Sequence, residues 1–235
     1  MWKCVCLMAG IVATALANTE KAIFLGPKPV NIPPTHPNLE DLRIDSLRPG
    51  HWAIRTHVEA QFPSATAKFG KATWLVLDEL TDGQRYELRV CWAATQPTAF
   101  RINTYELETA FGTPKLILEL SEYSYSRQSG EDEGSQGFGA SKQHSKSDRE
   151  ASVLLLQILA AADYFTTNNT LMNDVPPVFV DIILDPYVFN VLPRSLVPTV
   201  GYIVAVAVLS WFLARRISVG IRRLAKTPEQ TKKDQ

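Results

Sequence analysis

The feature that most constrains this chain is an uncharged, largely apolar run from Leu196 to Ala214, close to the C-terminal end. As a helix, its nineteen residues reach about 28 Å at 1.5 Å per residue, enough to cross a hydrocarbon core of about 30 Å. Pro198 falls in the first turn, where its missing N–H breaks no intrahelical bond. The flanks are unequal: Arg194 alone precedes the run, whereas Arg215, Arg216, Arg222, Arg223 and Lys226 follow it. Excess Lys and Arg marks the cytosolic side of a span, so the C-terminus is expected in the cytosol.

A second apolar segment, Cys4 to Leu16, follows Lys3 and closes on Ala15-Leu16-Ala17, a small-x-small pattern accepted by signal peptidase. Its thirteen residues would form a helix of about 20 Å, short of a span. Residues 1–17 therefore read as a signal peptide and Asn18 as the mature start, which puts 18–195 in the lumen. The two ends agree on a single-pass, type I membrane protein: lumenal domain, transmembrane helix over 196–214, cytosolic tail over 215–235. That tail ends Lys232-Lys233-Asp234-Gln235, the KKxx arrangement read by the COPI coat, and the expected address is the endoplasmic reticulum membrane.

The formal charge of zero conceals a division. Seven of the 24 basic residues and only two of the 24 acidic ones follow Ala214, which leaves the tail at +5; the segment from Asn18 to Ala214 carries −6. A basic juxtamembrane tail suits anionic headgroups, and no basic stripe suggests nucleic acid. With Cys4 and Cys6 in the signal peptide, Cys91 is the remaining cysteine, so the domain depends on an ordinary apolar core instead of internal disulfides. Asn168-Asn169-Thr170 is a glycosylation sequon in a polar stretch, which makes Asn168 the expected acceptor.

The lumenal part divides into three zones: a β-rich stretch over 18–124, a Ser/Gly/charge-rich stretch over 125–147 read as a disordered insertion, and a completing helix and strand over 148–195. Strand candidates are Lys21–Leu25, Trp52–Phe62, Ala72–Leu77, Arg85–Trp92, Ala99–Tyr105 and Leu116–Ser124. The clearest alternates Tyr86, Leu88, Val90 and Trp92 with Arg85, Glu87, Arg89 and Cys91, a half-buried strand of period two. Before it, Leu80-Thr81-Asp82-Gly83-Gln84-Arg85-Tyr86 resembles the tyrosine corner of fibronectin-type and immunoglobulin-like sandwiches, or else an ordinary hairpin approach with a core Tyr. Ser147-Asp148-Arg149-Glu150 fits a capping box ahead of Ala151–Phe165, read as a buried or membrane-apposed helix, with a strand as the alternative. Val178–Leu184 reads as a strand. The expected fold is mostly β: a β-sandwich-like lumenal domain with one accessory helix, held close to the bilayer by the short Pro186–Pro193 connection.

Chemistry is sparse. His36, His51, His57 and His144 show no metal-ligand spacing, and no cofactor is expected. Cys91 falls opposite the core stripe of its strand and reads as a small side chain under a neighbouring element. The pairs Glu106/Glu108, Glu119/Glu122 and Asp181/Asp185 could serve as catalytic carboxylates, with Glu106 and Glu108 on one face if their strand continues, but solvated strand edges explain them more simply. Glu131-Asp132-Glu133 is a solvated charge run. No phosphate loop or nucleophile elbow occurs, and the chain is read as non-catalytic. Contact surfaces remain: Gly201 and Ala205 form a small-xxx-small pair that permits close helix approach, and Ile217, Ile221 and Leu224 line one face of a basic juxtamembrane stretch.

Asn18-Thr19-Glu20 leading into an apolar strand, Leu88-Arg89-Val90-Cys91-Trp92 followed by Pro97 and Phe100, and a single C-terminal span together resemble the small fungal subunit of the GPI second-mannosyltransferase complex. The resemblance lies in the order of parts across most of the chain, with few matching residues; the 125–147 insertion and the sequon have no counterpart in it. It implies a non-catalytic subunit that stabilises or positions a polytopic endoplasmic-reticulum mannosyltransferase adding the second mannose of the GPI precursor. The alternatives are an accessory subunit of the first GPI mannosyltransferase, and a cargo receptor or lumenal binding protein cycling between endoplasmic reticulum and Golgi.

Overall fold

The computed structural model describes residues 18–32, 39–130 and 149–225. The expected signal peptide, His36, Glu131-Asp132-Glu133, His144, Ser147-Asp148 and Lys232-Lys233 lie outside the described residues. Most of the rest is strand, arranged in two sheets, and one long apolar helix follows.

The first sheet runs β1 (Asn18–Leu25), β6 (Arg85–Trp92), β9 (Val178–Val188) and β4 (Ala53–Val58), antiparallel throughout, with the short β10 (Leu192–Pro193) paired to the end of β9. The second is centred on β8 (Arg149–Ala162). On one side β8 pairs with β5 (Lys71–Leu80), which in turn carries the parallel β3 (Ser46–Leu47). On the other side it pairs with β7 (Thr98–Glu106), and its first residues pair with β2 (Val30–Ile32). One apolar cluster draws on both sheets: Leu88, Val90, Val180, Ile182 and Leu184 from the first, Leu75, Leu77, Leu154, Leu156 and Ile158 from the second. The alternation expected for β6 holds, with Tyr86, Leu88 and Val90 fully buried in that cluster and Trp92 packed against it.

The second sheet is buried on its other face too. Trp74, Val76, Val153 and Leu155 project there and meet helices α1 (Leu107–Gly112) and α2 (Pro114–Gly130), with the 39–44 segment packed alongside. Two sequence readings are corrected at this layer. Ala151–Phe165 is not a helix: Arg149–Ala162 is the central strand, and because both its faces are covered its residues read as one apolar run with no period of two. Leu116–Ser124 is not a strand, since it lies within α2. Pro114 opens that helix at a position that tolerates a missing N–H, and Leu116, Leu120 and Tyr123 recur at helical spacing on the face toward the sheet. The accessory helix is therefore Pro114–Gly130, and Tyr125–Gly130, expected at the start of a disordered insertion, are its last residues. The Ser124 hydroxyl donates to the Leu42 carbonyl at 2.7 Å and Arg127 pairs with Asp45 at 2.8 Å, fixing the helix to the 39–45 segment.

Between β5 and β6 the chain turns through Asp82 and Gly83, with Gly83 at φ 68° where a side chain is disfavoured. The Tyr86 hydroxyl accepts from the Thr81 N–H at 2.9 Å and donates to Gln84 Oε1 at 3.0 Å, so the back-bond of a tyrosine corner is present. After β10, a 3₁₀ turn over Arg194–Leu196 leads without a linker into helix α4 (Val197–Ala225). It is the one helix among the described residues long and apolar enough to cross a membrane, and none of its apolar window is buried against the sheets. The helix continues through Arg215–Ala225, where the sequence suggested a separate tail; Arg and Leu favour helix, and no proline intervenes.

Candidate functional site

The most unusual group of side chains lies where the sheets meet the apolar helix. On the outer face of the first sheet, Glu87 of β6 sits directly across from Asp185 of β9. Both are acidic and both are buried, 6% and 5% exposed. Side by side they would repel, and the arrangement holds because cations and donors converge on them. Arg89 reaches the Asp185 carboxylate at 3.3 Å and its Nε lies 3.5 Å from Glu87. The Tyr187 hydroxyl donates to Glu87 at 3.3 Å, and Lys21 of β1 approaches the same carboxylate at 3.8 Å. Burial, followed by the neighbouring Glu87 charge, pushes the Tyr187 phenol above its ordinary range, which keeps it protonated and donating.

Asp185 also accepts from the Ser195 backbone N–H at 3.2 Å and from the Ser195 hydroxyl, while Arg89 donates to that hydroxyl at 3.3 Å. Ser195 is two residues ahead of Val197, so these bonds tie the sheet to the turn that leads into the helix. The neighbouring β9–β10 turn is fixed as well: Asn190 Oδ1 accepts from the Arg85 N–H at 2.7 Å and its amide donates to the Gly83 carbonyl at 3.0 Å. The arrangement works as an anchor, because the carboxylates are engaged by donors from within the chain.

The residues singled out from sequence are scattered. Asn168 is exposed and caps the short α3 (Asn169–Asn173), its Oδ1 accepting from the Thr170 N–H at 3.0 Å. It lies beyond the end of β8 and before the start of β9, at the opposite end of the sheets from Ser195. A polar cleft of about 520 Å³ opens near it, lined by Glu59, Gln61, Phe62, Lys71, Asn173 and Asp174, with Lys71 paired to Glu59. Gly201 and Ala205 are exposed along α4, and open space surrounds the position where a Gly201 side chain would stand. Cys91 is half-buried on the outer face, opposite the core stripe as expected, with the Thr19 hydroxyl 3.6 Å from its sulfur.

His51 is exposed, and the His57 ring lies 5.0 Å from that of Phe179. Among the described residues no three His, Cys, Asp or Glu side chains are grouped to hold a metal. Glu106 and Glu108 do not share a strand face, because β7 ends at Glu106 and Glu108 is in the first turn of α1. Glu119 and Glu122 are on helix α2, where Glu119 accepts from Gln157 at 2.8 Å. Asp181 forms a two-pronged pair with Arg55 at 2.6 and 3.0 Å, which holds its carboxyl below the usual range. Asp181 and Asp185 share a face of β9 but, four residues apart, stand roughly 13 Å from each other. The junction itself escapes sequence reasoning: Glu87, Arg89, Asp185 and Ser195 are brought together only by strand register.

Comparison with protein-family models, curated proteins and solved structures found no match to this chain.

Proposed function

We propose that this protein is a non-catalytic subunit of an endoplasmic-reticulum mannosyltransferase complex, stabilising the polytopic enzyme that adds the second mannose in GPI-anchor biosynthesis. In this reading the two sheets form a lumenal β-sandwich, α4 crosses the membrane with its basic end in the cytosol, and Lys232 and Lys233 return the protein through the COPI coat. The observation that carries the reading is the junction. Asp185 and Arg89 bind Ser195 in the turn that opens directly into helix α4, which limits the slack between the domain and the helix. A tethered cargo receptor gains from slack, whereas a subunit that braces a membrane enzyme gains from rigidity. The exposed helix face bearing Gly201 and Ala205 supplies a surface on which two helices can approach closely.

Native purification of the full chain from membranes in mild detergent tests the reading. It predicts co-purification of a polytopic mannosyltransferase, weakened by Gly201→Leu and Ala205→Leu together. Recovery of the chain alone, or with vesicle cargo, would contradict it.

A further inference from the structure

The β9–β10 turn displays two large apolar side chains to solvent: Phe189 is 94% exposed and Val191 78%. Neither gains burial within the chain, and Phe189 occupies left-handed backbone at φ 52°, followed by Asn190 at φ 57°, a region sterically disfavoured for residues with a Cβ. The tip is not loose. The Val191 N–H donates to the Val188 carbonyl at 3.1 Å, and Asn190 is clamped to Arg85 and Gly83. Leu25, 57% exposed, pairs in register with that same Arg85 and adds apolar surface at this end of the sheet. Five residues lie between Val191 and the start of α4 at Val197, at most about 20 Å of extended chain, and β10 folds that path back onto β9. Exposed Arg194 lies between the tip and the helix, placed for its long side chain to reach a lipid phosphate.

We propose that the Phe189-Asn190-Val191 tip inserts into the interfacial zone of the bilayer beside α4, giving the domain a second membrane contact and fixing its tilt. This rests on α4 being a membrane span. Aromatic and aliphatic side chains lower their free energy at the headgroup boundary, and continuity with the span selects lipid over a separate protein as the occupant. The opposite end of the sheets, with Asn168 and the polar cleft, is thereby turned toward the aqueous lumen.

The test uses the full chain in phosphatidylcholine vesicles, with Cys4, Cys6 and Cys91 changed to Ala and an environment-sensitive fluorophore attached at Phe189→Cys. Phe165→Cys, at the far end and 86% exposed, serves as the aqueous reference, and Leu209→Cys as the reference within the span. The proposal predicts that the label at 189 is blue-shifted, quenched by headgroup nitroxide lipids and shielded from aqueous iodide, while the label at 165 shows the reverse. A label at 189 that behaves like that at 165, with 209 quenched by lipid, overturns the insertion and leaves the span intact. Shielding from iodide without lipid quenching points to protein contact and also overturns it. A label at 209 open to iodide removes the span and the proposal together.

Discussion

At the scale of single residues, the decisive group is Asp185. It is buried, and Arg89, the Ser195 N–H and the Ser195 hydroxyl all point at it. Asp185→Ala leaves a largely buried guanidinium and a backbone donor without their acceptor, and should cost about 3 kcal/mol, measured as a lowered denaturation midpoint of the full chain in detergent. A loss below about 0.5 kcal/mol, the scale of an ordinary surface change, would mean that the junction does not hold. Asp181 behaves differently because its pair with Arg55 is exposed. Its hydrogen bonds to Arg55 depress its pKa in the folded state. The stabilisation is therefore present above the unfolded carboxylate value and disappears as pH falls through the folded one. Arg55→Ala should move the Asp181 titration upward in carboxyl NMR with little change in stability at neutral pH; an unmoved midpoint contradicts the pairing. Phe189→Gly should stabilise the fold by up to about 1 kcal/mol, by relieving left-handed strain, while weakening vesicle contact. A fall in stability would mean that the phenyl ring supports the fold itself.

At the scale of elements, a strand is most legible when charged side chains alternate with its core residues. β6 declares itself through Tyr86, Leu88 and Val90 against Arg85, Glu87 and Arg89, because charged side chains mark the face away from the core. β8 does not, since Leu155 faces the helices and Leu154 and Leu156 face the other sheet, and its Ser152 and Gln157 are buried as well, so they mark no solvent face. α2 was concealed for a related reason: Ile117 and Leu118 are apolar but exposed, which blurs the helical stripe into a β-like run. The residue pair Leu118 and Leu120 separates the two descriptions. On a strand both would share a face; on α2 Leu120 is 1% exposed and Leu118 67%. Leu120→Ala should lower stability by about 3 kcal/mol, and Leu118→Ala by less than about 0.5, as read from denaturant melts. Equal losses would restore the strand. The junction was illegible because Glu87 and Arg89 lie about a hundred residues from Asp185 and Ser195, and only register joins them.

At the scale of the whole molecule, a two-sheet domain leads through a hydrogen-bonded turn into a long apolar helix, and the proposed role treats that arrangement as a brace for a membrane enzyme. The outline of that arrangement is legible in the sequence, since an apolar run with a basic flank states its physics there alone. How the domain is held above the helix is not, because that depends on contacts between distant strands. The proposed role in second-mannose addition is tested by the lipid intermediates present after depletion of the chain. That role predicts accumulation of the GPI precursor bearing one mannose, relieved by re-expression of the full chain but not by residues 1–195, which lack the helix. A normal precursor profile would contradict it, and accumulation of the unmannosylated precursor would assign the chain to the first enzyme instead.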